Sequence, residues 1–139
     1  NQTYSDVNCL GEAMLDLGLS RKKIAIIGAN CYQWAISYLS TVCGVGMAVP
    51  IDKALGKEDI LELLQIAEVG AAIFTDKYED IFLEIKEEIP SLETLINMDR
   101  REGDDQVEGV YSWWKLIAKG RQLIHNGSHD FENREIDRF

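Results

Sequence analysis

No run of apolar residues approaches the roughly 18 that would suggest a membrane span. Positive charge is also in short supply: 14 Lys+Arg face 24 Asp+Glu, a formal net charge of −10. A chain this acidic, with pI ≈ 4.6, repels phosphate backbones and anionic lipid, which disfavours nucleic-acid and polybasic membrane roles. Nucleotides stay open, because local backbone amides rather than net charge hold them. The amino end, Asn1 to Asp6, has neither a basic start nor an apolar core and does not read as a signal peptide. A start at Asn1 rather than Met fits a piece of a longer polypeptide. Cysteine is sparse and odd in number. Cys9, Cys31 and Cys43 each sit among apolar residues, whereas a secreted disulfide scaffold would carry more of them, in pairs. They read as reduced core cysteines, and a cytoplasmic setting follows. There is no internal repeat and no low-complexity tract.

What is present is ordinary for a globular domain. The 139 residues are 46% hydrophobic and 27% charged, enough for one core and too apolar for wholesale disorder. Val7, Leu10, Met14 and Leu17 step by three and four, predicting a helix from Ser5 to Gly18 with Ser5 as its cap. Ile24 to Gly28 is a short β-branched run, the mark of a strand covered on both faces. A helix over Cys31 to Gly46 follows, with Cys31, Ala35, Tyr38, Leu39 and Val42 on its inner side, then a strand Met47 to Ile51 limited by Pro50. The alternation continues with a helix Lys57 to Val69 (Ile60, Leu63, Leu64 and Ala67 inward) ended by Gly70, and a strand Ala71 to Thr75. A helix Tyr78 to Ile89 and a strand Thr94 to Asn97 complete it. Strand–helix–strand repetition with short links predicts an α/β domain, a doubly wound, mostly parallel sheet flanked by helices, over residues 1–139. Residues 99–109 are charged and glycine-bearing and read as a solvated loop; Ser112 to Ile124 reads as a helix with Trp113 or Trp114 packed; residues 125–139 read as a polar tail.

Candidate sites meet bland readings at each place. A dinucleotide site needs several glycines between a strand and the next helix, but only Gly28 is in place in Gly28-Ala29-Asn30-Cys31-Tyr32-Gln33, and Gly44-Val45-Gly46 precedes its strand. No Walker-type Gly-Lys-Ser/Thr occurs. A phospho-receiver would need an acidic pair after the first strand to hold Mg²⁺; Gly28-Ala29-Asn30 supplies none, so Asp76 reads as a helix cap rather than a phospho-acceptor. His125 and His129 have a spacing that suits a metal on a helix, yet Asn126-Gly127-Ser128 between them is turn chemistry, and both read as loop histidines. Asn126-Gly127-Ser128 and Asn1-Gln2-Thr3 fit the glycosylation pattern, which without a secretory route is coincidence. Neither histidine has a Ser or Cys in a base–nucleophile arrangement. Asp52, Lys53, Glu58 and Asp59 read as a solvated cluster at a helix start, the acids suiting its dipole. No catalytic, cofactor-binding or metal-binding residue is assigned.

The order of the segments says more than any one of them. Thr3-Tyr4-Ser5-Asp6-Val7 resembles the Thr-Tyr-x-Glu-Leu opening of AMP-forming adenylating enzymes, the superfamily of acyl-CoA synthetases, luciferases and peptide-synthetase adenylation domains. Lys23 to Trp34, KIAIIGANCYQW, is similar to that family's strand-plus-turn segment. Gly44 to Leu55, GVGMAVPIDKAL, resembles its motif ending in Val-Pro-Ile/Leu-Asp. A helix and strand ending in Thr75-Asp76 follow, and Ser112-Trp113 with the next helix matches a Ser-Trp-x-x-Leu…Gly element. The likeness runs from Thr3 to about Gly120. Gly-x-Gly before Val-Pro-Ile-Asp-Lys is nearest the long-chain fatty acyl-CoA synthetase branch. There are departures: the usual Ala-Gly reads Gly44-Val45, and Cys31 stands for the usual Ser after Asn30.

The resemblance implies an N-terminal subdomain whose parent activates a carboxylic acid, a long-chain fatty acid by the branch. ATP and acid would give acyl-AMP and pyrophosphate, and CoA would then displace AMP, with Mg²⁺ offsetting phosphate charge. The family's phosphate-binding loop, Tyr-Gly-x-Thr-Glu segment, ribose-binding Asp and catalytic Lys have no counterpart here; the loop would be expected just past Glu135-Ile136-Asp137 and Phe139. Expected partners are therefore the remainder of a longer polypeptide and, for the parent, a small carboxylic acid, with no nucleic acid and no transmembrane segment. No ATP, CoA or Mg²⁺ is expected on the isolated chain, which should self-associate through uncovered apolar surface. The alternative is a free-standing α/β interaction module without catalysis.

Overall fold

The structure, a computed structural model, describes residues 2–29, 31–101 and 103–138, with the backbone alone for 135–138. Asn1, Asn30, Glu102 and Phe139 lie outside the described residues, and with them the first glycosylation pattern, the asparagine of the turn after the first strand and one acid of the charged loop. So do the side chains of Glu135-Ile136-Asp137.

Short β-branched runs become strands because they are covered on both faces. The elements run α1 (Gln2–Asp16), β1 (Lys23–Ile27), α2 (Tyr32–Ser40), β2 (Met47–Pro50), α3 (Lys57–Ala67), β3 (Ala71–Phe74), α4 (Glu79–Ile85), β4 (Thr94–Asn97), β5 (Val110–Ser112), α5 (Trp113–His125) and α6 (Asp130–Arg138). All five strands pair in parallel in the order β2-β1-β3-β4-β5. Ile24, Ile26, Ile73 and Ile96 point to one face, where α1, α2, α5 and α6 pack. Ala25, Ile27, Phe74 and Leu95 point to the other, under α3 and α4. The chain steps outward from β1 to β2 and then back past β1 to β3, so α2 and α3 lie on opposite faces, as crossovers of one hand require.

Several boundaries differ from the sequence expectation for identifiable reasons. α1 starts at Gln2, so Ser5 lies inside the helix; Gly18 does close it, at φ 83°, with its N–H donating to Leu15 O. α2 turns its Ile36, Ser37, Ser40 and Thr41 inward, not Ala35 or Leu39. The buried hydroxyls make this possible: Ser37 donates to Gln33 O (2.7 Å), Ser40 to Val7 O (3.0 Å) and Thr41 to Ser37 O (2.8 Å). The last turn widens into a π-type turn over Thr41–Val45. α4 is shorter than its pattern and is flanked by 3₁₀ turns at Asp76–Tyr78 and Lys86–Glu88. β5 is a strand that composition did not mark. Residues 130–138, expected in the polar tail, form α6, which is held by the fully buried Phe131.

α3 ends not at Gly70 but at Glu68, which takes the left-handed conformation (φ 55°, ψ 49°). That conformation costs a side-chain-bearing residue about 1–2 kcal/mol. Glu68→Gly should therefore raise the unfolding free energy by up to about 1 kcal/mol after the added freedom of the unfolded chain is subtracted. A urea titration of the two proteins checks it; a less stable variant contradicts it.

β2 is an edge strand. Met47 N–H donates to Lys22 O (3.1 Å) and Ile51 N–H to Ile26 O (2.9 Å), so by alternation Ala48 and Pro50 present their backbone outward. Pro50 has no N–H, which blunts the open edge.

Candidate functional site at the carboxyl edge of the sheet

Ligands of doubly wound sheets bind outside the carboxyl ends of the strands, where the winding reverses. Here that place lies between β1 and β3, at Gly28 and Thr75. Gly28 has φ 151°, and a Cβ built on it would lie 2.6 Å from Thr75 Cγ2. The methyl and hydroxyl of Thr75 thus fill the space beside Gly28 that a side chain there would need.

Beside it stands a polar network that periodicity did not reveal. Asn97, fully buried at the end of β4, donates from Nδ2 to Asp76 Oδ1 (3.0 Å) and Glu79 Oε1 (3.1 Å). Its Oδ1 accepts from the Asp99 N–H (2.8 Å), and Asp99 Oδ2 accepts from the Asp76 N–H (2.8 Å). Arg100 Nη2 donates to both Glu79 oxygens (2.6 and 2.8 Å), its Nη1 donates to Asp105 O, and its Nε is buried without a partner. Ser112 Oγ donates to Arg100 O (2.6 Å) and accepts from the Lys115 N–H (3.2 Å), capping α5. Three carboxylates against one guanidinium leave the cluster at −2, a field hostile to phosphate. The network ties loop 98–101 to α4 and α5. The readable signal for it was polar Asn97 closing an otherwise apolar strand.

The residues singled out from the sequence are not brought together. Asp76 is the first residue of a 3₁₀ turn rather than its cap and accepts from Asn97; Thr75 holds the cap position without a side-chain cap bond, and the Asp99 carboxylate takes the Asp76 N–H instead. Asp52 accepts from the Ala54 N–H (2.9 Å), closing a turn, while Gly56 is the N-cap of α3. Glu58 and Asp59 do sit in the first turn of α3. His125 lies in the last turn of α5, and His129 is 3.4 Å from Glu132. Among the described residues no group of three His, Cys, Asp or Glu side chains could hold a metal. Among the described residues, the side chains at these places do not form a donor set that fits ATP or Mg²⁺.

A second polar cluster joins α1 to α2. The buried Asp6 accepts from Tyr32 Oη (2.7 Å) and Gln2 Nε2 (2.8 Å), with Arg121 Nη2 at 3.8 Å. Desolvation, and then the Asp6 carboxylate, push the Tyr32 phenol above its ordinary 10.0. A raised folded value means the protonated phenol stabilises fully below the unfolded value and less as pH climbs through the folded one. Tyr32→Phe should therefore trail the parent by a constant stability gap below about pH 9.5, a gap that narrows above pH 10. Urea midpoints from pH 7 to 11 check this. Burial likewise raises the Cys9 thiol, which leaves it poorly nucleophilic.

No family model and no curated protein matches the sequence. Solved structures do resemble it in shape. The adenylation domain of a carboxylic acid reductase from Segniliparus rugosus, in complex with AMP and a co-purified carboxylic acid, superposes with TM-score 0.76 at 16% identity over 86% of this chain and 22% of that one. An anthranilate CoA ligase in complex with anthranoyl-AMP gives 0.73 at 20% identity over 85% and 22%. Acetoacetyl-CoA synthetase from Streptomyces lividans gives 0.73 at 20% identity over 84% and 19%. The chain thus spans about a fifth of the length of these proteins. Five parallel strands between two helical layers give it the α/β fold of the N-terminal subdomain of adenylating enzymes.

Proposed function

We propose that this chain is the N-terminal structural subdomain of an AMP-forming acid–CoA ligase, contributing scaffold and no reacting group. The observation that carries the reading is the coincidence of two independent likenesses. About 85% of the chain superposes on adenylating enzymes, and five sequence segments occur in their family order. On this reading the parent enzyme uses ATP, CoA and Mg²⁺ on a carboxylic acid, and the branch resemblance makes that acid a long-chain fatty acid. The remainder of the polypeptide carries the phosphate loop, and the setting is cytoplasmic. Residues 99–109 serve as a surface loop. Self-association of the isolated chain through exposed apolar side chains such as Ile66 belongs to the same reading; a strictly monomeric species at high concentration by light scattering counts against it.

Acid-dependent ATP–pyrophosphate exchange by the purified 139-residue chain is expected to be absent. Measurable turnover would overturn the scaffold reading. The competing interaction module is separated from it by the reading frame past Phe139. A phosphate-loop sequence within about 20 residues, given how short connections usually are, supports the ligase parent, and a stop codon supports the module.

A further inference from the structure

Between the open edge of β2, the π-type turn and α6 lies a cleft of about 680 Å³ that plays no part in the reading above. Its walls include Tyr38, Val42, Met47 and Ala48, and its charged groups are Arg21 and Arg134. Among the described residues no carboxylate lines it. Met47 is 60% exposed there, an unusual position for a large apolar side chain on a strand.

The two arginines are the informative feature. The chain has 24 acids against 14 bases, yet among the described residues the only charged side chains lining this cleft are two guanidiniums. Lys57 pairs with Glu84 at the surface, and Arg100 pairs with Glu79 in a more buried setting. Arg21 and Arg134 make no ion pair among the described residues; Arg134 Nη1 donates to Gly44 O (3.2 Å) and its side chain lines the cleft. Arg21 is held in the left-handed conformation (φ 63°), its own N–H donating to Val45 O (2.6 Å). A backbone strained at a charged residue is found where the surroundings over-determine it.

We infer that this cleft binds an amphipathic organic anion, with the anionic head between Arg21 and Arg134 and an apolar body along Tyr38, Val42 and Met47. The size suits such a ligand, since small-molecule sites are about 300–1,000 Å³, mostly apolar, with few polar groups fixing orientation. Guanidinium groups are the side chains best matched to carboxylate, sulfonate or phosphate heads. A second copy pairing along β2 is disfavoured, because Pro50 removes an outward N–H from the edge.

The test is an amide NMR titration of the chain with three probes sharing one tail: 1-octanesulfonate, 1-octanol and octylammonium. Saturable shifts at Gly46, Met47 and Ala48 are expected with the sulfonate, and binding at least about tenfold weaker with the alcohol and the ammonium. Arg21→Gln and Arg134→Gln should each weaken the sulfonate about tenfold while leaving the far-UV circular dichroism unchanged. Equal affinity for all three probes, shifts centred elsewhere, or no saturable binding overturns the inference. So do shifts at these amides that follow protein concentration without any probe, which would mark a second copy in the cleft. The head-group comparison uses the unaltered chain, so it stands even if a variant folds poorly.

Discussion

Trp113→Ala is expected to lower the unfolding free energy by about 3–5 kcal/mol, the range for deleting a large buried aromatic side chain. Trp113 is fully buried where α5 meets the sheet, and its indole N–H donates to Ser37 Oγ (2.8 Å). That serine in turn donates to Gln33 O (2.7 Å), so the indole locks α2 against α5 through one hydroxyl. Trp114 meets the same ring edge-on at 4.9 Å, and removing Trp113 would leave that neighbour facing a void. Against a typical total of about 5–15 kcal/mol, the loss is about a third or more of the stability of a domain near the middle of that range. Trp113→Phe is the control: it keeps most of the ring and forfeits the hydrogen bond, about 0.5–1.5 kcal/mol, plus a smaller packing loss. Urea unfolding followed by circular dichroism checks both. An alanine variant within about 1 kcal/mol of the parent would show that this site collapses freely, contrary to a close-packed interior.

Gly120→Ala is the second large effect, and it acts by crowding. A Cβ at Gly120 would stand 1.7 Å from Cys9 O and 2.5 Å from Cys9 C. Those are backbone atoms of α1, so no side chain can swing aside. α1 and α5 would have to separate, opening the layer that holds Leu10, Met14, Leu116 and Ile117. Overpacking usually costs about 1–3 kcal/mol; with rigid backbone as the obstacle, a loss at or beyond the upper end is expected. The melting temperature should fall by roughly 6–12 °C, at about 2–4 °C per kcal/mol for a domain somewhat above this size. Gly103→Ala, where nothing lies within 4 Å, should move it hardly at all. A Gly120→Ala protein as stable as the parent would mean that the two helices do not approach this closely.

These two positions show how far the sequence could be read. Ser112, Trp113, Leu116 and Gly120 were visible as a family-like string, but periodicity could not say what each does. The structure assigns them as helix cap, indole lock, core contact and close helix crossing. The strands were legible because β-branched runs buried on both faces look alike in any parallel sheet. Thr94–Asn97 matched to the residue, and β1 and β3 to within one. α2 misled because its inner face carries Ser37, Ser40 and Thr41, whose hydroxyls become tolerable inside by donating to carbonyls, Ser37 and Thr41 to those one turn back in the helix and Ser40 to that of Val7 in α1. β5 was missed because three residues are too few to display alternation. α6 was missed because a single ring, Phe131, provides its anchorage, along with Glu12. That buried carboxylate of α1 accepts from the Phe131 N–H (3.0 Å) and from Ser128 Oγ. The network around Asn97 depends on contacts across loops, which no local pattern encodes.

Phe131 has one more consequence. Its ring occupies the room that side-chain carbons would claim at Gly11 (2.2 Å) and Gly44 (2.8 Å), so three positions far apart along the chain share a single volume. At Gly44 the room a methyl group would take is filled by a phenyl group arriving from α6. Changes at these sites should accordingly travel together. A methyl added at 44 becomes tolerable once residue 131 is trimmed, and bulk at 131 demands bareness at both 11 and 44.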